Sequence, residues 1–495
     1  MSMTARSQNY FEKVAQHWDS LRQGYFTEEV RQAALQRGYL RPDMVAADIG
    51  GGTGFISSGL APLVQKVHLI DGSKAMIEVA RQNLQNFDNI EYHLTDGLSI
   101  PLPDHSMDVV FANMVLHHCS DPLAAIQEWA RLLRPGGRLI ITDQDSHNHT
   151  WQMEEMADEW LGFERSQLRR WFQEAGLVNI LVESTGQTCC AQSQNTSMVS
   201  EDGQQSQVSI FVAVGTKSVQ DVHNHVQSSY GALAREGGCC GQSDQNASCC
   251  GAQDTGNSSC CQEQVDSNPF QPEFTADELS NLPPEAAEFS LGCGNPVALA
   301  NLKPGEVVLD IGSGGGLDCF LAARRVGPTG KVIGVDMTQD MLDRANRALK
   351  KTGLNNVSFR LGFAENLPIE DDSVDVVLSN CVLNLTEDKG RAFQEAFRVL
   401  RNNGRLEVSD IVSDRSLPSP VSADAAQWAG CIAGALPEGE YLSLIAQAGF
   451  RNIVVKKKVF AGEDENTKIY SITVSAVKHP ATATHNSSCC GGQCE

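Results

Sequence analysis

Short apolar runs alternate with amphipathic stretches over most of the chain. Two of these runs, residues 44–47 and 307–309, are each followed by an aspartate, an isoleucine and a glycine-rich turn. A helix-like stretch and further strand and helix patterns follow each turn, and the first half closes with apolar runs at residues 177–184 and 208–214. Alternating strands and helices with a late hairpin predict an α/β fold, in which a doubly wound sheet ends in an antiparallel edge.

The same patterns divide the chain into four segments. Residues 1–217 and 273–478 carry the strand and helix patterns and are predicted to form two domains. Residues 218–272 are predicted to be a Cys-rich flexible linker, since Gly, Ser, Gln and Asn dominate it and large apolar residues are almost absent. The linker includes a possible helix near Tyr230, which would be the N-terminal helix of the second domain. Residues 479–495 form a similar Cys-rich tail.

The glycine-rich turns predict a ligand site in each half. The first reads Asp-Ile-Gly-Gly-Gly-Thr-Gly from residue 48, and the second Asp-Ile-Gly-Ser-Gly-Gly-Gly from residue 310. Glycines between a strand and a helix let the backbone approach a nucleotide-like ligand closely. Asp71 and Asp336 end the next apolar runs, where a carboxylate can hold the two hydroxyls of a ribose.

Three helices are predicted around the first of these sites. Residues 10–21 have an amphipathic pattern and are expected to cover the ligand. Residues 152–161 and 166–175 follow the fifth strand with helical patterns.

Later sequence blocks recur at a fixed interval. The interval from Asp108 to Asp375 equals the interval from Arg138 to Arg405, so one fold occurs twice. The Gly-x-Gly-x-Gly spacing with these blocks resembles class I S-adenosylmethionine-dependent methyltransferases. The resemblance implies two tandem class I (Rossmann-like, doubly wound) methyltransferase domains that use S-adenosylmethionine as cofactor. It assigns cofactor binding to Asp48, Gly50, Gly52, Gly54, Asp71 and Asp96 in the first half and to Asp310, Gly312, Gly314, Gly316, Asp336, Met337, Glu365 and Asn380 in the second.

Composition and charge limit the classes of molecule that could accept the methyl group. The formal net charge is −23 over 495 residues, which argues against nucleic acid or an anionic membrane as partner. No long apolar run predicts a transmembrane helix, and the polar N-terminus lacks the apolar core of a secretion signal. A cytoplasmic location is therefore expected, where the 16 cysteines would serve chemistry or bind a soft element rather than form structural disulfides.

Three cysteines lie in distinctive motifs of the second half. Cys293 lies in Leu-Gly-Cys-Gly-Asn-Pro, Cys381 in Ser-Asn-Cys-Val-Leu-Asn-Leu after the fourth strand, and Cys431 in Gly-Cys-Ile-Ala-Gly-Ala-Leu-Pro. From about residue 230 to 474 the chain resembles the arsenite methyltransferase family through these motifs and Val-Ile-Gly-Val-Asp-Met-Thr. The resemblance implies that thiolates of Cys381 and Cys431 hold trivalent arsenic. Cys293, a further candidate arsenic ligand, would also take part in thiol exchange or disulfide steps.

The upstream partner of those disulfide steps would be Cys239 or Cys240, and the choice stays open. The substrate would be arsenite or its thiol conjugates, and the expected role is arsenic detoxification. Trivalent arsenic is a soft centre that favours thiolate sulfur, as soft metals do. Its lone pair would attack the methyl group without a general base, so catalysis would be mostly positioning. A thiol reductant of the thioredoxin or glutathione type would restore the cysteines.

Two other functions remain open. A methyltransferase acting on carbon or oxygen of a small metabolite, similar to quinone-pathway enzymes, would not need Cys381 or Cys431. A thiol-rich protein that sequesters metal would fit the vicinal cysteine pairs but not two intact cofactor signatures. Cys319, on a helix facing the sheet, is expected to be a core residue rather than a ligand.

The first half lacks the three cysteine motifs of the second. His117 and His118 follow its fourth strand and are expected to shape a pocket, with a ligand or catalytic role as the alternative. Residues 142–149 and 155–163 resemble methyltransferase domains fused to arsenic-type repressors, and Cys189 and Cys190 form another vicinal pair. A soft acceptor is therefore one hypothesis for this half, and a carbon or oxygen acceptor is the other.

Overall fold

The computed structural model describes residues 5–95, 99–193, 205–236, 282–283, 294–464 and 467–479. Within these ranges, no helix combines the length and the apolar character that a bilayer crossing requires. The predicted domain boundaries remain predictions, but the described strands fall into two separate sheets.

The described part of the first half contains seven strands and eight α-helices. The strands are β1 (Val45–Ile49), β2 (Lys66–Asp71), β3 (Ile90–Leu94), β4 (Met107–Asn113), β5 (Leu133–Gln144), β6 (Leu177–Gln192) and β7 (Gln205–Lys217). The helices are α1 (Ala5–Val14), α2 (Trp18–Tyr25), α3 (Glu28–Gly38), α4 (Phe55–Leu60), α5 (Lys74–Asn83), α6 (Pro122–Leu132), α7 (Trp151–Glu155) and α8 (Arg165–Glu174). The sheet order is β3-β2-β1-β4-β5-β7-β6, and β7 runs antiparallel to both of its neighbours.

The second half repeats this plan after α9 (Val222–Glu236). Its helices are α10 (Pro296–Leu299), α11 (Leu317–Val326), α12 (Gln339–Thr352), α13 (Lys389–Val399), α14 (Ser419–Ser422) and α15 (Glu438–Gln447). Its strands are β8 (Val307–Ile311), β9 (Lys331–Asp336), β10 (Val357–Leu361), β11 (Val374–Asn380), β12 (Leu400–Ser413), β13 (Leu436–Pro437), β14 (Arg451–Asp464) and β15 (Thr467–Val477). The order β10-β9-β8-β11-β12-β15-β14, with β13 beside β12, confirms the predicted α/β class.

The apolar runs form the central parallel strands because those strands are covered by helices on both faces. In β1 and β8, the last four residues are all buried, including the aspartates Asp48 and Asp310. A parallel strand buried on both sides reads as a nearly continuous apolar run, as these do. Three other helices, α5, α6 and α13, begin at side-chain caps: the oxygens of Ser73, Asp121 and Asp388 accept hydrogen bonds from backbone amides of the first turn.

Two helix predictions for the first half are wrong in detail. The amphipathic pattern at residues 10–21 is divided between α1 and α2, with a 3-10 turn at Ala15–His17 between them. The helix predicted at 152–161 ends at Glu155. It cannot continue because Ala157 has a left-handed backbone (φ 60°). In addition, the backbone amides of Glu159 and Trp160 both donate to the carbonyl of His117 instead of to a helical carbonyl.

The two halves bury charged and polar side chains against each other. Arg138 of β5 donates to Glu440 of α15 at 2.6 Å, and their side chains are only 6% and 1% exposed. The amide of Gln447 accepts from Val182 N at 2.9 Å and donates to Ile180 O at 2.5 Å, so it pairs with β6, the edge strand of the first sheet. The interface therefore satisfies an edge that would otherwise be open to another strand.

The equivalent arginine of the second half makes a different contact. Arg405, which corresponds to Arg138 in the repeat, donates to both carboxylate oxygens of Glu306 within its own half. The arginine at this repeated position thus pairs within its own half at Arg405 and across the interface between the halves at Arg138.

Substitution of Glu440 by Gln should destabilise the whole protein. The change leaves the buried guanidinium of Arg138 without its carboxylate, and breaking a buried pair on one side costs about 3–5 kcal/mol. Urea unfolding followed by circular dichroism measures the loss. Asp371→Asn, which breaks an ion pair at a 71% exposed carboxylate, is the matched control and should cost less than about 1 kcal/mol. Equal losses in the two variants would contradict a specific interface contribution.

Candidate functional site

A cleft of about 990 Å³ lies at the carboxyl ends of β8, β9 and β11. Ligands of open α/β sheets bind at this edge, because the loops leaving the strands diverge there. The predicted cofactor residues that line the cleft are Gly312, Gly314, Asp336, Met337, Glu365 and Asn380. Asp310 and Gly316 do not line it.

Two glycines of the turn in this cleft are suited to their positions for different reasons. Gly312 has φ 72°, and a Cβ there would lie 2.2 Å from Cγ2 of Val382. Gly314 also has a left-handed backbone (φ 48°), but a Cβ there would meet no atom within 4 Å. The first glycine therefore permits close packing, whereas the second leaves open space in which a ligand can approach the main chain.

Asp336 is held at the end of β9 by backbone amides. One carboxylate oxygen accepts from Gly314 N at 2.9 Å and the other from Thr338 N at 2.8 Å. Burial raises the pKa of this carboxyl, although both hydrogen bonds act to lower it. Each oxygen retains a lone pair for a ligand hydroxyl.

Asp310 lies behind the lining of the cleft and contacts the helix that follows the glycine turn. It accepts the S–H of Cys319 at 3.2 Å, and that thiol is fully buried, as expected of a core cysteine. Burial and the neighbouring Asp318 raise the pKa of Asp310 well above its usual value.

Helix α9 forms the roof of the cleft. His223 lies 3.1 Å from a carboxylate oxygen of Glu365, and Gln227 donates to Met337 O at 2.7 Å. Tyr230 completes the lining from the same face. The sequence indicates a possible helix near Tyr230 but not the contacts of His223 and Gln227, although Val222, Val226 and Tyr230 recur at helical spacing.

Cys381 and Cys431 approach each other at the edge of the cleft. Cys381 lies directly after β11 with φ 57°, and Cys431 lies on a separate loop with φ 64°. The sulfur of Cys431 lies 3.8 Å from the carbonyl oxygen of Cys381 and 3.8 Å from the hydroxyl of Tyr230. Left-handed backbone is uncommon outside glycine, and where a fold maintains it the position often has a function.

Cys381 and Cys431 differ in oxidation state. Cys381 is disulfide-bonded, whereas Cys431 is free, as are four further described cysteines: Cys119, Cys189, Cys190 and Cys319. Burial raises the pKa of Cys431 to about 11, and the hydrogen bond with Tyr230 opposes that rise. At neutral pH Cys431 is therefore a thiol.

Several predicted residues lie outside the described residues: Asp96, Cys239, Cys240 and Cys293. Gly294, which follows Cys293, is the nearest described position. The side-chain amide of Asn380 accepts from Gly294 N at 3.2 Å and donates to Gly294 O at 2.8 Å. It also donates to Asp318 at 3.0 Å, and so ties this segment to the helix after the glycine turn.

The first half has an equivalent cleft of about 560 Å³. Of its predicted residues, Asp48, Gly50, Gly52 and Asp71 line the cleft, and Gly54 does not. Asp71 accepts from Gly52 N at 2.8 Å and from Ser73 N at 2.7 Å, and burial raises its pKa to about 6. Phe11 and Trp18 line the cleft from the N-terminal helices, where the amphipathic pattern predicted a cover.

The two clefts differ at the position of Cys381. Met114 of the first half follows β4 with φ 54°, just as Cys381 follows β11 with φ 57°. The interval between these two residues equals the interval between the repeated aspartates Asp108 and Asp375, so they are equivalent positions. The first cleft therefore carries a thioether at the position of the candidate arsenic ligand.

Comparison with known proteins identifies the two halves. Models described as a methyltransferase domain match residues 302–449 and residues 47–141. An arsenite methyltransferase of Halobacterium salinarum is 38% identical over 260 residues, which are 52% of this chain and 63% of that protein. An arsenite methyltransferase of Aquipseudomonas alcaligenes is 40% identical over 179 residues, 35% of this chain and 51% of that protein.

Among solved structures, an arsenic(III) S-adenosylmethionine methyltransferase from Chlamydomonas reinhardtii is 35% identical, with a TM-score of 0.39, over 41% of this chain and 73% of that chain. This chain spans only 63% and 51% of the two curated relatives above. It carries two methyltransferase domains of α/β architecture.

Substitution of Tyr230 by Phe should make Cys431 less reactive. The phenol lowers the pKa of Cys431, so its removal raises that pKa and reduces the thiolate fraction at every pH below it. The rate of iodoacetamide labelling at Cys431 between pH 8 and 10, followed by peptide mass spectrometry, is expected to fall several-fold. Tyr470→Phe, at a ring that makes an edge contact with Phe460, is the control and should leave the rate unchanged. Faster labelling of the Tyr230 variant would contradict the hydrogen bond.

Proposed function

We propose that this chain, which carries two methyltransferase domains, transfers a methyl group from S-adenosylmethionine to trivalent arsenic in its second domain. The observation that carries the proposal is the convergence of Cys381 and Cys431 beside the glycine turn, each from a separate segment and each in a left-handed backbone. The names of the relatives support it.

The cleft of the second domain fits S-adenosylmethionine. Asp336 would hold the ribose hydroxyls, the open space at Gly314 would admit the cofactor to the main chain, and α9 would exclude water from above. Bound there, the cofactor would supply an electrophilic methyl group on a sulfonium. Asp310 would keep the turn in place without touching the cofactor.

Cys381 and Cys431 would hold the substrate. Each sulfur–arsenic bond forms as an arsenite hydroxyl takes the thiol proton and leaves as water, so the thiol form of Cys431 is competent. A third sulfur, from Cys293 or from a thiol conjugate of arsenite, would complete the coordination. Three sulfurs leave a lone pair on arsenic, and this pair is the nucleophile. No proton leaves arsenic, which agrees with a site whose contribution is mainly alignment.

Methylation formally oxidises arsenic by two electrons. Two thiols can return it to the trivalent state by forming a disulfide, and Cys381 is in a disulfide in this structure. A reductant of the thioredoxin or glutathione type is therefore the proposed partner that reopens the site after each turnover. This assignment implies a cytoplasmic location and a role in arsenic detoxification.

Substitution of Cys381 or Cys431 by Ser should abolish arsenic methylation. Loss of one anchor misplaces the lone pair, and misalignment of this kind reduces rates by about 100-fold or more. Product formation from arsenite is measured by chromatography with arsenic-specific detection, and S-adenosylmethionine binding by calorimetry. Binding should persist, and Cys190→Ser, at a free cysteine of the first domain, should retain activity.

Full arsenic methylation by both serine variants would reject Cys381 and Cys431 as the substrate anchors. Two outcomes with the unaltered protein would reject the proposed function itself. Failure to methylate arsenite despite binding S-adenosylmethionine would point to a carbon or oxygen acceptor. Failure of the unaltered protein to bind S-adenosylmethionine would point instead to a metal-sequestering protein.

Reduction should control substrate loading. With Cys381 oxidised, arsenite has only one of its two proposed anchors, so it should not protect Cys431 from iodoacetamide. After treatment with dithiothreitol and removal of the excess, arsenite should protect Cys431 by at least several-fold. Peptide mass spectrometry reads this residue separately from the Cys pairs of the linker. Equal protection before and after reduction would contradict the requirement for a free Cys381.

A further inference from the structure

A buried cluster of two histidines and two carboxylates lies beside the cleft of the first domain. His117, His118 and Asp158 each offer one ligand atom, and these atoms all lie within 4.8 Å of one another. All three side chains are buried, and His118 lines the cleft itself. We propose that this cluster binds a divalent first-row transition cation, with His117, His118 and Asp158 as ligands and Asp143 as the residue that orients His117.

The buried carboxylate of Asp158 has the properties of a metal ligand. Its side chain is 1% exposed, and among the described residues neither of its oxygens has a hydrogen-bond partner. Oδ1 lies 3.7 Å from Nε2 of His117 and 3.8 Å from Nδ1 of His118, beyond hydrogen-bond reach of both. A buried carboxylate without hydrogen-bond partners is costly, so a cation bound between these three groups would stabilise it.

The spacing suits a cation. Ligand atoms about 2.0–2.2 Å from a tetrahedral zinc ion are separated from each other by about 3.3–3.5 Å. The 3.7 Å separation between Nε2 of His117 and Oδ1 of Asp158 needs to close by less than about half an ångström. Nδ1 of His118 lies 3.8 Å from the same oxygen and donates to Ala157 O at 3.1 Å, so His118 must release that hydrogen bond to bind the ion through Nδ1. Two imidazoles and a carboxylate are a donor set that transition cations favour, and three protein ligands leave a position open for a further group.

His117 is oriented as a metal ligand usually is. Its Nδ1 lies 2.6 Å from Oδ1 of Asp143, so the carboxylate accepts that N–H and directs Nε2 toward Asp158. Asp143 is itself fixed, because Gln144 N donates to Oδ1 at 2.7 Å and His117 N to Oδ2 at 3.3 Å. A carboxylate on the far ring nitrogen fixes both the tautomer and the direction of a ligating histidine.

The segment that contains Asp158 is held against the histidines by the main chain. The amides of Glu159 and Trp160 both donate to the carbonyl of His117 at 3.0 Å. Ser7 donates to the carbonyl of Ala157 at 2.9 Å, which fixes the left-handed residue before Asp158. The main chain therefore holds Asp158 beside the two histidines before an ion binds, which favours selection of the ion.

The second domain shows that the fold does not require these histidines. Asn384 and Leu385 correspond to His117 and His118 in the repeat and lie in an equivalent 3-10 turn after the fourth strand. Asp410 corresponds to Asp143 in the same way and accepts from Tyr441 at 3.0 Å instead of from a histidine. The histidine pair is thus a feature of the first site and not of the shared architecture.

Cobalt(II) is a suitable probe for the full-length protein. The difference between the absorption spectra of Co²⁺-loaded unaltered protein and Asp158→Asn should contain visible d–d bands without the near-ultraviolet charge transfer that thiolates give. Equilibrium dialysis should find one Co²⁺ ion fewer in the variant. The difference spectrum cancels ions bound by cysteines, which both proteins share.

A second histidine and carboxylate cluster provides the control. His68, Glu91 and His93 lie together on β2 and β3, but Nδ1 of His68 and Nε2 of His93 are only 2.9 Å apart and bond to each other. Glu91→Gln should therefore leave Co²⁺ binding unchanged.

Three outcomes would overturn the proposal: equal Co²⁺ binding by the Asp158→Asn variant and the unaltered protein, loss of the same ion in Glu91→Gln, or thiolate bands in the difference spectrum. If Asp158→Asn does not fold, the decisive measurement is the melting temperature of the unaltered protein with its thiols blocked. A rise with Co²⁺ supports the site, and no rise up to millimolar Co²⁺ rejects it.

Discussion

The contact on which both clefts depend is made by the first glycine of each turn. In the second domain a Cβ at Gly312 would lie 2.2 Å from Val382, and in the first a Cβ at Gly50 would lie 2.4 Å from Val115. Each valine follows the left-handed residue at the end of the fourth strand, Cys381 or Met114. Only glycine allows the turn to pack so closely, and this packing brings the glycine turn and the end of the fourth strand to the same edge of the sheet.

On this common backbone the two domains carry different chemistry. At the end of the fourth strand one has a cysteine and the other a methionine, and three residues later one has an asparagine, Asn384, and the other a histidine. The asparagine donates to the carbonyl of Cys431 at 3.1 Å and so positions the loop that carries the second thiol. The histidine is directed by Asp143 toward a buried carboxylate. The two domains share the sheet and the turn but differ in the residues beyond the strand ends.

The sequence predicted the parts of this arrangement that depend on local pattern. Apolar runs, glycine spacing and the aspartates at strand ends are local signals, and they gave the fold class and the residues beside the turn. Contacts between distant segments had no such signal: Asn380 holding Gly294, and His223 and Gln227 of the roof helix closing on Glu365 and Met337. The helix predicted at 152–161 was wrong for the same reason. Its helical pattern was overridden by the amides after Ala157, which bond to the carbonyl of His117, a distant position in the chain.

The charged pair between the halves has a consequence for how this chain can change in evolution. Arg138 and Glu440 come from opposite halves of the chain and have almost no access to water, and an edge strand is capped by a glutamine of the other half. Each domain has thus acquired a surface that is suited only to its companion. A fusion of this kind is difficult to reverse, because either half released on its own would expose an ionic residue and an open strand that were selected in a dry environment.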